Sequence, residues 1–535
     1  MIDTKALREK VLDLAIRGKL VPQDPNDEPA SVLLERIRQQ KQQMVKEGKL
    51  KAKDIKNDTV IFVGEDNLHY EKFTDGSVKC IEDEIPFELP EGWQWVRLGC
   101  LAQYKKGPFG SSITKAMFVP DNPGAVKVYE QKNAINKDAS LGNYFISAEK
   151  YETLKGFEVF PNDIIVSCAG TIGETYVLPT SMRKGIINQA LMKISLYDLG
   201  ILDFYLMYFD FQLKRAAQEQ GYGVALKNIP PFDMLKRYLV PIPPIQEQQR
   251  IIAAVNNLLF EVDSIDADSK AIFALIAQTK AKILDLAIRG QFVTQDPTDE
   301  PASVLLERIR AEKEELIKQG KIKRDKKESV IFKGEDNSYY LNDGQMTVDI
   351  SDDLPFDVPD SWRWVRLKDV FIINPRNMLD DDLDVSFIPM PLIDDGYSGK
   401  HTSEVRQWKE VKTGFTHFTE GDVGIAKITP CFENRKSTVF ENLSNGYGAG
   451  TTELHVLRPF GKNILAQYLL AYVKTDYFVE NGMQTFTGDV GQQRISKAYV
   501  ENAYFPLPPI KEQERIVQQI GIIFEHLNMI TDALS

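Results

Sequence analysis

Residues 15–38 read AIRGKLVPQDPNDEPASVLLERIR and residues 287–310 read AIRGQFVTQDPTDEPASVLLERIR, the same sentence at a separation of 272 with four of 24 letters changed. The echo continues beyond it. TVIFVGEDNLHY (59–70) is answered by SVIFKGEDNSYY (329–340), LPEGWQWVRLG (89–99) by VPDSWRWVRLK (358–368), and PIPPIQEQQRII (241–252) by PLPPIKEQERIV (506–517). The chain is therefore two half-chains of about 265–272 residues. Between the LG or LK and the Pro-Pro pair the halves diverge, and KKGPFGSSITK (105–115) has no sequence counterpart among the residues after Asn374. The repeats frame two different inserts.

After Pro244, apolar residues recur at Ile251, Val255, Leu258, Val262, Ile265, Ile272, Ile276, Ile283 and Leu286, with Ser269 and Thr279 filling the gaps. That unbroken 4-3 spacing predicts a coiled-coil seam, running about 50 Å from Ile251 to Leu286 at 1.5 Å per residue. The second copy supplies Ile516, Ile520, Ile523, Leu527, Ile530 and Leu534 and then the chain stops, while Leu7, Val11 and Leu14 match Thr279, Ile283 and Leu286 at the 272 offset. Ser535 corresponds to residue 270 and Met1 to residue 273, so two positions of the second helix are missing. The register predicts a cyclic two-fold repeat opened inside one helix. The expected fold class is α+β: two globular inserts separated by long antiparallel coiled-coil helices, one continuous and one assembled from both termini. The boundaries are a helical region and linker at 1–88, a first insert at 89–244, a central helix and linker at 245–357, a second insert at 358–509 and a closing helix at 510–535.

Composition agrees. At 535 residues, 43% hydrophobic and 10% aromatic, the chain has material for several cores. Cys80, Cys100, Cys168 and Cys431 fall at no metal-ligand spacing, and the start MIDTKALREK lacks a signal peptide's apolar stretch, which predicts a cytoplasmic protein with free thiols. No apolar run approaches the roughly 20 residues of a membrane span. The net charge of -12 argues at first against a nucleic-acid partner. Locally, residues 90–245 hold 17 basic against 14 acidic residues and residues 356–509 hold 16 against 20, so most of the acidity lies outside the inserts.

Catalytic motifs are nearly absent. GYSGKHT (396–402) lacks the spacing of a phosphate loop, and there is no HExxH or GxSxG. IPPF (229–232) resembles an amino-methyltransferase motif, but Ile229 cannot accept a hydrogen bond from the target amine. Asp121 after Pro120, with Glu130 and Lys132, forms the pattern of a metal-dependent nuclease, two carboxylates for Mg²⁺ and a lysine near the attacking water. What the inserts offer is chemistry for reading DNA. Lys105, Lys106 and Lys115 flank GPFGSSIT, where Ser111, Ser112 and Thr114 are candidate phosphate ligands. Gln131, Lys132, Asn133, Asn188 and Gln189 are of the types that pair with base edges. The second insert has Arg376, Asn377, Lys427, Thr429, Arg435, Lys436, Thr451, Thr452, Gln492, Gln493 and Arg494. Any one of these, taken alone, is better read as a solvated surface residue or turn former; their grouping as loop clusters in paired, divergent domains strengthens the binding reading.

The combination of LPEGWQWVRLG, GPFGSS, INQALMKI, PIPPIQEQQRII, LDLAIRGKLVPQDP, TPCFENRK and TTELHVLRP resembles the specificity subunits of Type I restriction-modification systems, over essentially the whole chain. The resemblance implies two target-recognition domains, each reading half of a split sequence in double-stranded DNA. It also implies helices that act as spacer and as docking surface for two copies of a modification (methyltransferase) subunit. Adenine methylation, ATP-driven translocation and cleavage then belong to modification and restriction subunits, which use S-adenosylmethionine, ATP and Mg²⁺, and this chain binds no cofactor, metal or membrane and has no catalytic residue. The rivals are a two-lobed nuclease built on Glu130 and Lys132, and a helical scaffold without DNA contact. Whether the charged stretches near 40–58 and 311–328 touch DNA, a partner or only water stays open.

Overall fold

The 4-3 pattern after Pro244 folds as one helix of 44 residues, Ile245–Ile288, in a computed structural model that describes residues 2–168, 171–219, 232–324, 329–489 and 491–534. Val255, Val262, Ser269, Ile276 and Ile283 are buried along it, seven residues apart, so one line of the heptad faces protein. The alternate line is more open: Leu258, Ile265 and Ile272 are 37–40% exposed. The described residues divide into two compact units, one up to Ala267 and one from Asp268 on.

In the first unit the N-terminal helix, Thr4–Ile16, is capped by Asp3, whose carboxylate accepts from the Ala6 amide at 2.8 Å. Val11, Leu12, Ala15 and Ile16 share a core with Ile251, Val255 and Leu259, and Arg8 pairs with Asp263. With Arg250 bonded to Asp27, these contacts make the two segments antiparallel. In the second unit the C-terminal helix, Ile510–Ala533, packs on the Asp268–Ile288 stretch in the same sense. Ile516 and Ile520 join Ala287 and Ile288 in one core, and Lys280 donates to Asn528 Oδ1 at 2.6 Å and lies over the Phe524 ring. Leu14, Leu286, Ile523, Leu527 and Leu534 are half-buried, whereas Leu7 and Ile530 are 39% and 47% exposed. The expected join of the termini rests on Met1 and Ser535, which lie outside the described residues.

The repeated motifs build one buried network twice. Glu247, 1% exposed, accepts from Trp93 Nε1 at 3.0 Å and Gln23 Nε2 at 3.1 Å. Glu512, also 1% exposed, accepts from Trp362 Nε1 at 2.9 Å and from Gln295 Nε2. Arg250 and Arg515, one turn on, bind Asp27 and Asp299 at 2.5 and 2.7 Å. Burial raises both glutamates' pKa values, and the indole and amide donors oppose that shift. Gly18 and Gly290 end the preceding helices at φ +64° and +69°, where a Cβ would lie 2.4–2.5 Å from Pro90 or Pro359. QDP, AIRG, the tryptophan at 93 or 362 and the Glu-Gln pair at 247 or 512 thus recur because they are parts of one joint.

Each insert holds two four-stranded sheets. In the first, Ala102–Lys106 is the edge of the order Thr175–Val177, Ile164–Ser167, Leu191–Leu196, Ala102–Lys106. The companion order is Phe145–Ile146, Val126–Tyr129, Gly185–Ile187, Glu158–Val159, with Val126–Tyr129 and Gly185–Ile187 parallel. In the second insert the orders are Phe371–Ile373, Leu454–Pro459, Val423–Ala426, Ser437–Val439 and Glu404–Gln407, Asp384–Ile388, Tyr447–Gly450, Thr416–Thr419, again with one parallel pair. Read from the edge strand inward, strand for strand, the two inserts have the same topology. KKGPFGSSITK therefore has a positional counterpart after all: its residues from Gly107 on, like the segment from Asn374, follow the edge strand, Ala102–Lys106 or Phe371–Ile373. Among the described residues no helix is long and apolar enough to cross a membrane, and all four cysteines are free.

Candidate DNA interface

Gly107 leaves the edge strand of the first insert pressed against the turn at Asn188: a Cβ there would lie 1.8 Å from the Asn188 carbonyl oxygen. This close approach places the end of the edge strand, Lys105 and Lys106, beside the turn of Asn188 and Gln189, and Ser111 and Ser112 follow in the next segment. Lys105, Lys106, Ser111, Thr114, Lys115 and Gln189 are exposed, and Lys105 lies over the Phe157 ring at 4.9 Å. Asn188 Oδ1 accepts from the Ala190 amide and fixes the turn. Lys132 is bonded to Glu130 at 3.1 Å and faces Tyr144, and Gln131 reaches the Thr171 carbonyl at 3.4 Å. Asn133 is a correction. It is fully buried, donates to the Asp138 and Leu141 carbonyls and accepts from the Glu130 amide, so it holds a loop and has no free edge for a base.

In the second insert one group assembles around a short bridge between Ile428 and Arg494. Thr429 Oγ1 accepts from the Gln493 amide, Lys427 N donates to the Glu453 carbonyl, and Thr451 Oγ1 accepts from the Glu453 amide. Lys427, Thr429, Thr451, Thr452, Gln492, Gln493 and Arg494 are thereby gathered on one patch. Arg494 is bidentate to Glu453 at 2.8 and 2.9 Å and holds that carboxyl below its ordinary pKa. Arg376 is exposed, with one contact to the Phe415 carbonyl. Asn377 is clamped, donating to the Phe418 carbonyl and accepting from Arg458. Arg435 and Lys436 are also corrections: Arg435 binds the Lys474 carbonyl and Asp476, and Lys436 Nζ binds the carbonyls of Met390 and Ile393. Both are partly buried braces, Arg435 of the Lys474–Asp476 stretch and Lys436 of the loop near residue 393.

The nuclease pattern does not assemble. Asp121 is bidentate to Arg183 at 2.7 and 2.9 Å, which lowers its pKa, and Glu130 is paired with Lys132. Among the described residues no three His, Cys, Asp or Glu side chains are placed to hold a metal. The IPPF stretch lies outside the described residues, apart from Phe232. Sequence reading missed two side chains, Phe109 and Met378, which are 89% and 99% exposed. They stand 269 apart, the offset that relates LPEGW to VPDSW, and that offset was the available signal.

A sequence profile described as the Type I restriction modification DNA specificity domain matches residues 90–266 and again 359–531. The chain is 46% identical over 260 residues to the Type I restriction enzyme EcoAI specificity subunit of Escherichia coli, covering 48% of this chain and 40% of that protein. It is 44% identical over 243 residues to the EcoEI specificity subunit of Escherichia coli, covering 45% and 38%. Each match thus spans less than half of the relative's own length. The solved HsdS subunit from Thermoanaerobacter tengcongensis aligns with 84% of this chain and 94% of its own at 17% identity and a TM-score of 0.39.

Proposed function

The chain belongs to the Type I restriction-modification DNA specificity family, and on that premise we propose that it is the DNA-reading subunit of such a complex. Each insert, 89–244 and 358–509, is a target-recognition domain that reads one half of a bipartite site. The helical frames set the gap between halves and dock two copies of a modification subunit. Adenine methylation, translocation and cleavage are the work of the modification and restriction subunits, which bind S-adenosylmethionine, ATP and Mg²⁺, and the complex acts in the cytoplasm.

One observation carries the reading: a buried joint kept residue for residue in both copies frames two domains of identical topology whose loops have diverged. Identical partners require identical frames, and different half-sites require different loops. The candidate loops supply Lys105, Lys106, Lys115 and Arg376 at the surface, where phosphates are met. Mapping DNA methylation in cells that express this chain with its modification subunits tests the proposal. A split motif with two defined halves is expected; methylation without any sequence preference, or without dependence on this chain, would overturn it.

A further inference from the structure

Phe109 and Met378 are the two most exposed large apolar side chains among the described residues, at 89% and 99%. Single apolar residues on a surface are ordinary. These two, however, occupy one position in two domains: each follows the edge strand of its first sheet, and the 269 offset is kept. Neither sits on a loose tip. Pro108 and Ile113 are buried on either side of Phe109, whose carbonyl accepts from the Ser112 amide at 2.8 Å. Before Met378, Asn374 exchanges hydrogen bonds with Val456 and Asn377 is held by Phe418 and Arg458; after it, Leu379 packs beside Val385 and Trp408. A rigid base with an apolar tip in water gains the fold nothing, because the tip buries no area.

Building on the proposed DNA-reading role, we infer that Phe109 and Met378 are wedges, each entering a base step of one half-site and unstacking it. Phe and Met are among the side chains that insert in this way. Exposed cations stand near both in the chain, Lys105 and Lys106 at the end of the edge strand before Phe109 and Arg376 in the segment before Met378, so phosphates are met as the wedge enters. The acidic run after Met378 is largely engaged: Asp381 is paired with Lys412 and Asp382 with Lys409, while Asp380 caps its own turn. The copies also differ in residue while keeping apolar character. A partner subunit present twice would select the same side chain in both, as the joint does with its tryptophans and glutamates. Two different base steps select two different wedges.

The test uses the full chain assembled with its modification subunits and a duplex carrying the methylation-mapped site, with 2-aminopurine placed in turn at positions of each half other than the methylated adenine. Wild type is expected to brighten the probe at one step in each half. Phe109→Ala is expected to abolish the signal in one half and Met378→Ala in the other, each weakening specific binding roughly tenfold or more. Phe109→Leu retains both signal and affinity. All three variants fold as wild type, since the altered atoms lie in solvent. A wild-type complex that binds its site without brightening any probe overturns the inference, as do alanine variants that keep signal and affinity. Loss confined to assembly with the modification subunit makes these side chains subunit contacts and also overturns it. Absence of any sequence-specific binding by wild type is a different failure, that of the DNA-reading role itself.

Discussion

Gly107→Ala isolates the first recognition loop. The new Cβ would lie 1.8 Å from the Asn188 carbonyl oxygen, 2.5 Å from its carbon and 3.1 Å from the Gln189 nitrogen, all of them backbone atoms. Ordinary contact begins near 3.4 Å, so the loop and the turn must part by about 1.5 Å. Overpacking of this kind costs about 1–3 kcal/mol, and a binding surface held to about 0.5 Å loses its geometry at such a displacement. Specific binding should fall about 10- to 100-fold, at 1.4 kcal/mol per decade, while assembly with modification subunits persists. Fluorescence anisotropy on the mapped duplex, beside thermal unfolding, measures both. Gly110→Ala is the control, because nothing lies within 4 Å of its Cβ. If Gly107→Ala binds as tightly as Gly110→Ala, the loop and the Asn188 turn do not form one reading surface.

Trp362→Phe removes the indole donor from the buried Glu512 carboxylate and should destabilise the second unit by about 2 kcal/mol, seen as a lower urea midpoint at unchanged slope; an unchanged midpoint would mean that the joint contributes no stability. His455 is 4% exposed, and burial lowers its pKa from 6.5 to about 4, with Asn374 at 3.3 Å and the Ile495 carbonyl at 3.4 Å from its ring nitrogens. The unfolded chain therefore takes up the proton first, and stability present above pH 6.5 declines as pH falls toward 4, by about 3 kcal/mol in all. Urea midpoints across that window should flatten in His455→Gln, and a wild-type profile already as flat as the variant's would contradict the assignment.

The frame was legible because its physics is written in short-range spacing. Heptads, helix-ending glycines and the Gln-Asp-Trp-Glu set recur at offsets that drift only from 272 through 269 to 265 along the chain, and a buried carboxylate with several donors tolerates little substitution. The seam was only half legible: Val255, Val262 and Ile276 are buried, but Leu258, Ile265 and Ile272 are not, since sequence spacing does not say how many faces of a helix find a neighbour. The shared topology of the inserts was hidden because their strands are two to six residues long and several are buried on both faces, so no alternation marks their register. Residue type alone also misled at Asn133, Arg435 and Lys436. Amide and cation donors that suit bases suit backbone carbonyls as well, and here the carbonyls took them. Phe109 and Met378 escaped notice because a lone apolar residue in a loop carries no pattern until the fold superposes the two copies.

The central claim is that the two domains read independently, and one exchange tests it directly. Residues 100–240 are replaced by the corresponding domain of a relative whose target is known, the chimera is expressed with its modification subunits, and methylation is mapped across the genome. One half of the split motif should become the relative's while the other half is retained. A motif altered in both halves, or in neither, would contradict the account.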